Sequence, residues 1–158
     1  MKQPTSKPKK INIWQYQFIL TRRLAWWGVL SFVFGVVMFF IDDPFLKGFG
    51  IQAAAWGFID TAIAIGATFL TTKRRAVLAD PAAKDAVTLE AYKLRKLLKL
   101  MLPLDVIYIV VGLLLAFTWG RKSAWWFGTG WGVVVQGLFL LGFDWYHTRN
   151  IPGLKEGA

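Results

Sequence analysis

Four stretches of the chain, 24–41, 49–70, 100–120 and 123–146, carry almost no charge, and each runs for about 18–24 residues. As helices they would span roughly 27–36 Å, the depth of a bilayer's hydrocarbon core. None alternates with a period of two, so none reads as a strand. A helix also satisfies its own backbone hydrogen bonds in lipid, where no water does so. The sequence therefore predicts an all-α membrane protein, a four-helix transmembrane bundle. Composition agrees: 56% of the 158 residues are hydrophobic, too many for a soluble domain of this length.

The net charge of +10 follows from topology. If the N-terminus is cytoplasmic, its segment holds Lys2, Lys7, Lys9, Lys10, Arg22 and Arg23. The central loop and its flank hold Lys73, Arg74, Arg75, Lys84, Lys93, Arg95, Lys96 and Lys99, and the C-terminal tail holds Arg149 and Lys155. These sixteen stand against three on the other side, Lys47, Arg121 and Lys122. That satisfies the positive-inside rule and implies an inner-membrane protein with both termini in the cytoplasm. The basic surplus faces anionic lipid headgroups, and nucleic acid is not expected as a partner. Such a bias fixes one orientation, so any dimer is expected to be parallel.

Residues 1–10 are polar and proline-bearing and read as a disordered basic tail. Residues 11–148 form one domain, and 149–158 are a tail. Ile11, Trp14 and Phe18 mark a short interfacial helix leading into the first span, which is read as an uncleaved anchor. Asp80 followed by Pro81 signals a helix start in the central loop. Ala83, Val87, Ala91, Leu94, Leu98 and Met101 then form one stripe, predicting an amphipathic cytoplasmic helix between the second and third spans, with a bend near Pro103.

The two halves read as a duplicated helical hairpin, an internal repeat. Gly35 aligns with Gly112, and Trp56-Gly57 with Trp131-Gly132. Each span also carries a small or polar seam: Gly28, Ser31 and Gly35; Ala53, Gly57, Asp60 and Ala64; Asp105, Tyr108 and Gly112; Thr129, Gly132 and Gln136. Such seams let membrane helices approach closely, here around one narrow centre.

Asp60 lies deep in WGFIDTAIAIG with no Lys or Arg at its depth. An ionised carboxylate there costs about 2.5–3.5 kcal/mol on insertion scales. The neutral acid is the cheaper state, expected to donate to the Gln136 side chain, with Tyr108 and Asp105 as further members. Asp105 is expected nearer the cytoplasmic side. Such a group is either a hydrogen bond between helices or a protonatable site on a transport path.

A second cluster, FDWYHTRN, ends the last span. Asp144 and His147 are three residues apart and would meet on one helical face, a general-base pairing. Neither a nucleophile motif nor a substrate pocket accompanies it, so an interfacial anchor is expected and no catalytic residue is assigned. The chain has no cysteine and one histidine, which excludes a disulfide, a bis-histidine haem or a histidine-cluster metal site; no cofactor is expected. Most of the nine tryptophans, Trp26 and Trp27 among them, lie near span ends, as interfacial residues do.

Four motifs, AAWGFID around Asp60, LDVIY around Asp105 and Tyr108, GTGWGVVVQG around Gln136 and FDWYH around Asp144, resemble a family of small uncharacterised bacterial four-helix membrane proteins. The resemblance covers about 120 residues. It implies the same topology and marks Asp60, Asp105, Gln136 and Asp144, without implying a reaction. Thr129 stands where the family's pattern would place a histidine between two glycines. The expected function is a non-enzymatic membrane subunit or scaffold. The alternative is a small oligomeric transporter coupled to protons or cations through Asp60.

Overall fold

The computed structural model describes residues 11–154. The N-terminal basic tail and the end of the C-terminal tail lie outside them. Four α-helices follow one another: α1 (Ile13–Phe39), α2 (Pro44–Ala76), α3 (Lys84–Phe117) and α4 (Ala124–Arg149). A single 3₁₀ turn, Trp119–Arg121, precedes α4. All four helices are long and apolar enough to cross a membrane. At 33 residues, α2 is roughly 50 Å long, well beyond the ~30 Å hydrocarbon core, so it reaches into the headgroup layers or tilts.

The interfacial and amphipathic segments are not separate helices. The expected interfacial stretch is the first part of α1, and the amphipathic stretch is the first half of α3, with Pro103 inside one continuous helix. The expected start of α3 is corrected as well. Asp80 accepts from the backbone N–H of Ala82 at 2.8 Å, closing a turn, and the helix begins three residues after Pro81. Ile11 is exposed, whereas Ile13, Trp14, Tyr16 and Leu20 are buried with Ala91 and Leu98 of α3 and with Ile151. The Trp14 indole donates to the carbonyl of Pro81 at 2.8 Å, which pins the loop before α3 to the start of α1.

The helices do not surround one centre. α1 packs on α2, α3 on α4, and α2 on α4. Apolar attraction between helices is weak in lipid, so close backbone approach at small residues must hold these contacts. Within the first hairpin, a Cβ on Gly35 would strike the backbone of Gly50 and Ala54, and one on Gly57 that of Gly28 and Phe32. Within the second, Gly112 meets Gly130 and Val134, and Gly137 meets Asp105 and Ile109. The same contacts thus recur at matching positions of both hairpins. This register sets Trp56-Gly57 opposite Gln136-Gly137, not opposite Trp131-Gly132 as the motifs had implied. The motif match was built on composition, whereas the contacts follow which glycine faces which backbone.

The contact between the hairpins is reciprocal. A Cβ on Gly48 would meet the carbonyl of Trp125, and one on Gly128 the carbonyl of Phe45. α2 and α4 therefore touch near their N-terminal ends. Two side openings remain, one between α1 and α4 and one between α2 and α3.

Candidate functional site

The opening between α1 and α4 is filled by large side chains. The Trp27 indole stacks on Phe139 with ring centroids 3.8 Å apart. Lower down, Tyr16 meets His147, with the hydroxyl 2.8 Å from Nδ1 and donating to the His147 carbonyl at 3.2 Å. Phe143 packs on the other side of the imidazole.

The opening between α2 and α3 is hollow. It encloses a cavity of about 580 Å³, walled by α2 and α3 and floored by Leu20, Thr21 and Leu24 of α1 and by Leu140 and Phe143 of α4. Trp56 and Tyr108 stand at one end, ring edge to ring face, with centroids 5.0 Å apart. A polar latch stands at the other end. Arg74 and Glu90 form an ion pair at 2.7 Å. Gln17 donates to Glu90 at 3.3 Å and accepts from Thr71 at 2.8 Å. The latch ties α1, α2 and α3 together where α2 ends.

Besides Glu90 of the latch, three carboxyl groups line this cavity: Asp60, Asp105 and Asp144. All three residues are buried. Gln136 donates its amide to Asp60 Oδ2 and accepts from the Trp27 indole N–H at 3.2 Å. An indole N–H only donates, so it turns Gln136 Oε1 toward α1 and leaves the amide nitrogen for Asp60. The expected direction is therefore reversed: Asp60 accepts, because the amide is turned with Oε1 toward Trp27 and Nε2 toward Asp60.

Asp105 and Tyr108 do not join this chain. Asp105 Oδ2 is buried without a hydrogen-bond partner, and Tyr108 packs on Trp56. Asp105 is also not displaced toward the cytoplasmic side. Its carbonyl abuts Gly137, the neighbour of Gln136, so Asp105 lies at the level of Asp60. Counting from residue 100 misplaced it, because α3 starts sixteen residues earlier.

The Asp144–His147 pairing is corrected too. His147 is committed to Tyr16 on the α1 side, while Asp144 faces the α2–α3 cavity, and no hydrogen bond joins them. Gln17, Trp27, Thr71 and Glu90 are site residues that the sequence reading missed. Glu90 had a visible signal: it sits beside Ala91 on the predicted apolar stripe, an unusual place for an acid.

Among the described residues no group of three His, Asp or Glu side chains is close enough to hold a metal ion. The cavity can therefore offer carboxylate oxygens singly within an aliphatic and aromatic wall. Comparison with curated proteins gave no match, and comparison with solved structures gave none. One family model matches residues 23–145, a span holding Asp60, Asp105, Gln136 and Asp144 but not Tyr16 or His147, and on that match the chain belongs to a family of unknown function, DUF6992.

Proposed function

We propose that this chain is a non-enzymatic, multi-pass protein of the bacterial inner membrane that takes up protons or a cation at the carboxyl groups of the α2–α3 cleft. One contrast carries the reading. The α1–α4 opening is plugged by Trp27, Phe139 and His147, whereas the opening that holds Asp60, Asp105 and Asp144 stays hollow. A scaffold gains from filling both, because a void forfeits packing contacts. Buried acids without a cation at their depth are costly in a membrane and mark sites that bind or move charge.

The distribution of basic residues supports cytoplasmic termini and contact with anionic headgroups. The recurring glycine contacts support an ancestral duplication of one helical hairpin. One charge-biased orientation supports a parallel homo-oligomer, and no feature supports nucleic-acid binding. The scaffold reading has its own support in the Trp27–Gln136–Asp60 chain, which ties α1, α4 and α2.

Infrared difference spectroscopy on protein in lipid separates the two, with Asp60→Asn and Asp105→Asn used to assign the carboxyl bands. A cavity carboxyl that gains and loses a proton as the bulk pH is stepped is the expected result. Bands that stay fixed in the protonated position across the whole range where the protein is folded would leave only the scaffold.

A further inference from the structure

We propose that the ligand of the α2–α3 cleft is a lipophilic organic ammonium ion that enters sideways from the bilayer and places its charge against Asp105. The inference rests on the reading of the cleft as a charge-binding site and names the class of ligand.

Four observations lead to it. The first is Asp105 itself, a residue of the cavity wall that is only 3% exposed and whose buried Oδ2 has no hydrogen-bond partner. A buried acceptor left unpaired is costly, and a ligand donor or cation would relieve the cost. The second is charge. Asp60 and Asp105 face the cavity at one level and Asp144 about two helical turns nearer the latch, while its basic residues, Arg74 and Lys93, sit only at the latch end, where Arg74 is already paired with Glu90. An anionic headgroup is repelled at the level of the acids and a cation attracted.

The third is size and lining. A space of about 580 Å³ with leucine, isoleucine and aromatic walls is far larger than a bare metal ion needs, and no metal-binding cluster is present among the described residues. It falls within the usual range of organic-ligand pockets. Trp56 and Tyr108 at the end away from the latch add aromatic rings, whose faces attract ammonium groups. The fourth is the route. The rings stand at one end and the latch at the other, and between them Ile63 and Leu70 of α2 and Leu97 and Leu104 of α3 line the cavity and are all exposed. The mouth therefore faces lipid between α2 and α3, with an aliphatic rim, and a ligand reaches the acids from the acyl-chain layer.

Tritiated dodecyltrimethylammonium is the probe, equilibrated with the full chain in nanodiscs, with empty nanodiscs giving the lipid background. Its neutral isostere, in which carbon replaces the nitrogen, is the paired control. Saturable binding of the ammonium and not of the isostere is expected, weakening about ten-fold or more in Asp105→Asn. It should also be lost in Ala67→Trp, which narrows the cavity without touching an acid. Asp42→Asn, at the opposite end of α2, should bind as the parent does. Equal binding of the isostere, or unchanged binding in either Asp105→Asn or Ala67→Trp, overturns the proposal. Protons exchanging at the cavity carboxyls with no ammonium binding would sink this ligand class and leave the charge-binding cleft standing. Fixed carboxyl bands would sink the cleft reading itself.

Discussion

The two hairpins share a frame and differ in what they hang on it. In both, paired glycines bring the helices together at matching positions, and the hairpins meet through reciprocal contacts at Gly48 and Gly128. In the matching register, however, Gln136 stands where the first hairpin has Trp56, and Leu140 where it has Asp60. Asp105 stands where the first hairpin has Gly28. One side opening consequently receives stacked aromatics and the other receives acids and space. The lesson is that close helix contact in lipid is a matter of which residues are small. The remaining positions are free to diverge, and there chemistry can be introduced on one side of a symmetric frame.

The largest effect should come from breaking the frame where the hairpins meet. Gly128→Leu places a side chain on the backbone carbonyl of Phe45, which cannot move aside as a flexible side chain does. We expect a loss of about 3 kcal/mol, the upper end of the usual cost of overpacking, because two backbones are involved. Gly66→Ala and Gly142→Ala are the counterparts: nothing lies within 4 Å of a Cβ at either site. Both sit inside helices, so alanine should be neutral or stabilising by up to about 1 kcal/mol. Unfolding titrations in mixed micelles would compare the three. A tolerated Gly128→Leu would mean that α2 and α4 are not held in contact there.

Next in size is the difference between the filled and the hollow opening. Trp27→Ala removes the ring stacked on Phe139 and leaves Gln136 Oε1 without its donor. A buried Trp→Ala change costs about 3–5 kcal/mol. Trp27 is only part-buried, so about 2 kcal/mol is the expected loss here. Ile63→Ala at the mouth of the hollow opening should cost less than about 0.5 kcal/mol, because that side chain is 54% exposed. Equal losses at the two positions would remove the contrast on which the cleft reading stands.

Much of the frame was legible in the sequence. Charge-free stretches gave four spans, and small residues at helical spacing named Gly28, Gly35, Gly57 and Gly112, all of which are buried. The bond between Asp60 and Gln136 was also legible, since two polar side chains at similar depth have few other partners in lipid. Its direction was not, because it depends on Trp27, an indole that composition alone assigns to the interface. Nor was the cavity legible. Seams reveal which helix faces approach, but not that α2 and α3 fail to close on each other. His147 illustrates the same limit: spacing of three pointed to Asp144, while tertiary packing turned the ring to Tyr16 on another helix.

The smallest expected difference lies in the two turns that join the helices within each hairpin. Asp43 caps α2, accepting from the N–H of Leu46 at 2.8 Å, and Pro44 occupies the first helical position. Ser123 holds the matching place before α4 and makes no side-chain cap bond. Asp43→Ala should therefore lower stability by about 1 kcal/mol, the usual worth of a cap, while Ser123→Ala should change it by only a few tenths. The neighbouring Lys47 holds the Asp42 carboxyl below its ordinary pKa by hydrogen bond and by charge. That contribution is present above the unfolded-state pKa and disappears as the pH falls through the folded-state value. Asp42 is fully exposed, so salt screens the pair and the acid-side loss should be slight. The cap bond is a different case, because it satisfies a backbone donor that α2 leaves open at its first turn. Unfolding titrations of Asp43→Ala at low and high salt should thus give the same deficit, and a deficit that salt removes would assign the effect to charge near Lys47 instead of to the cap.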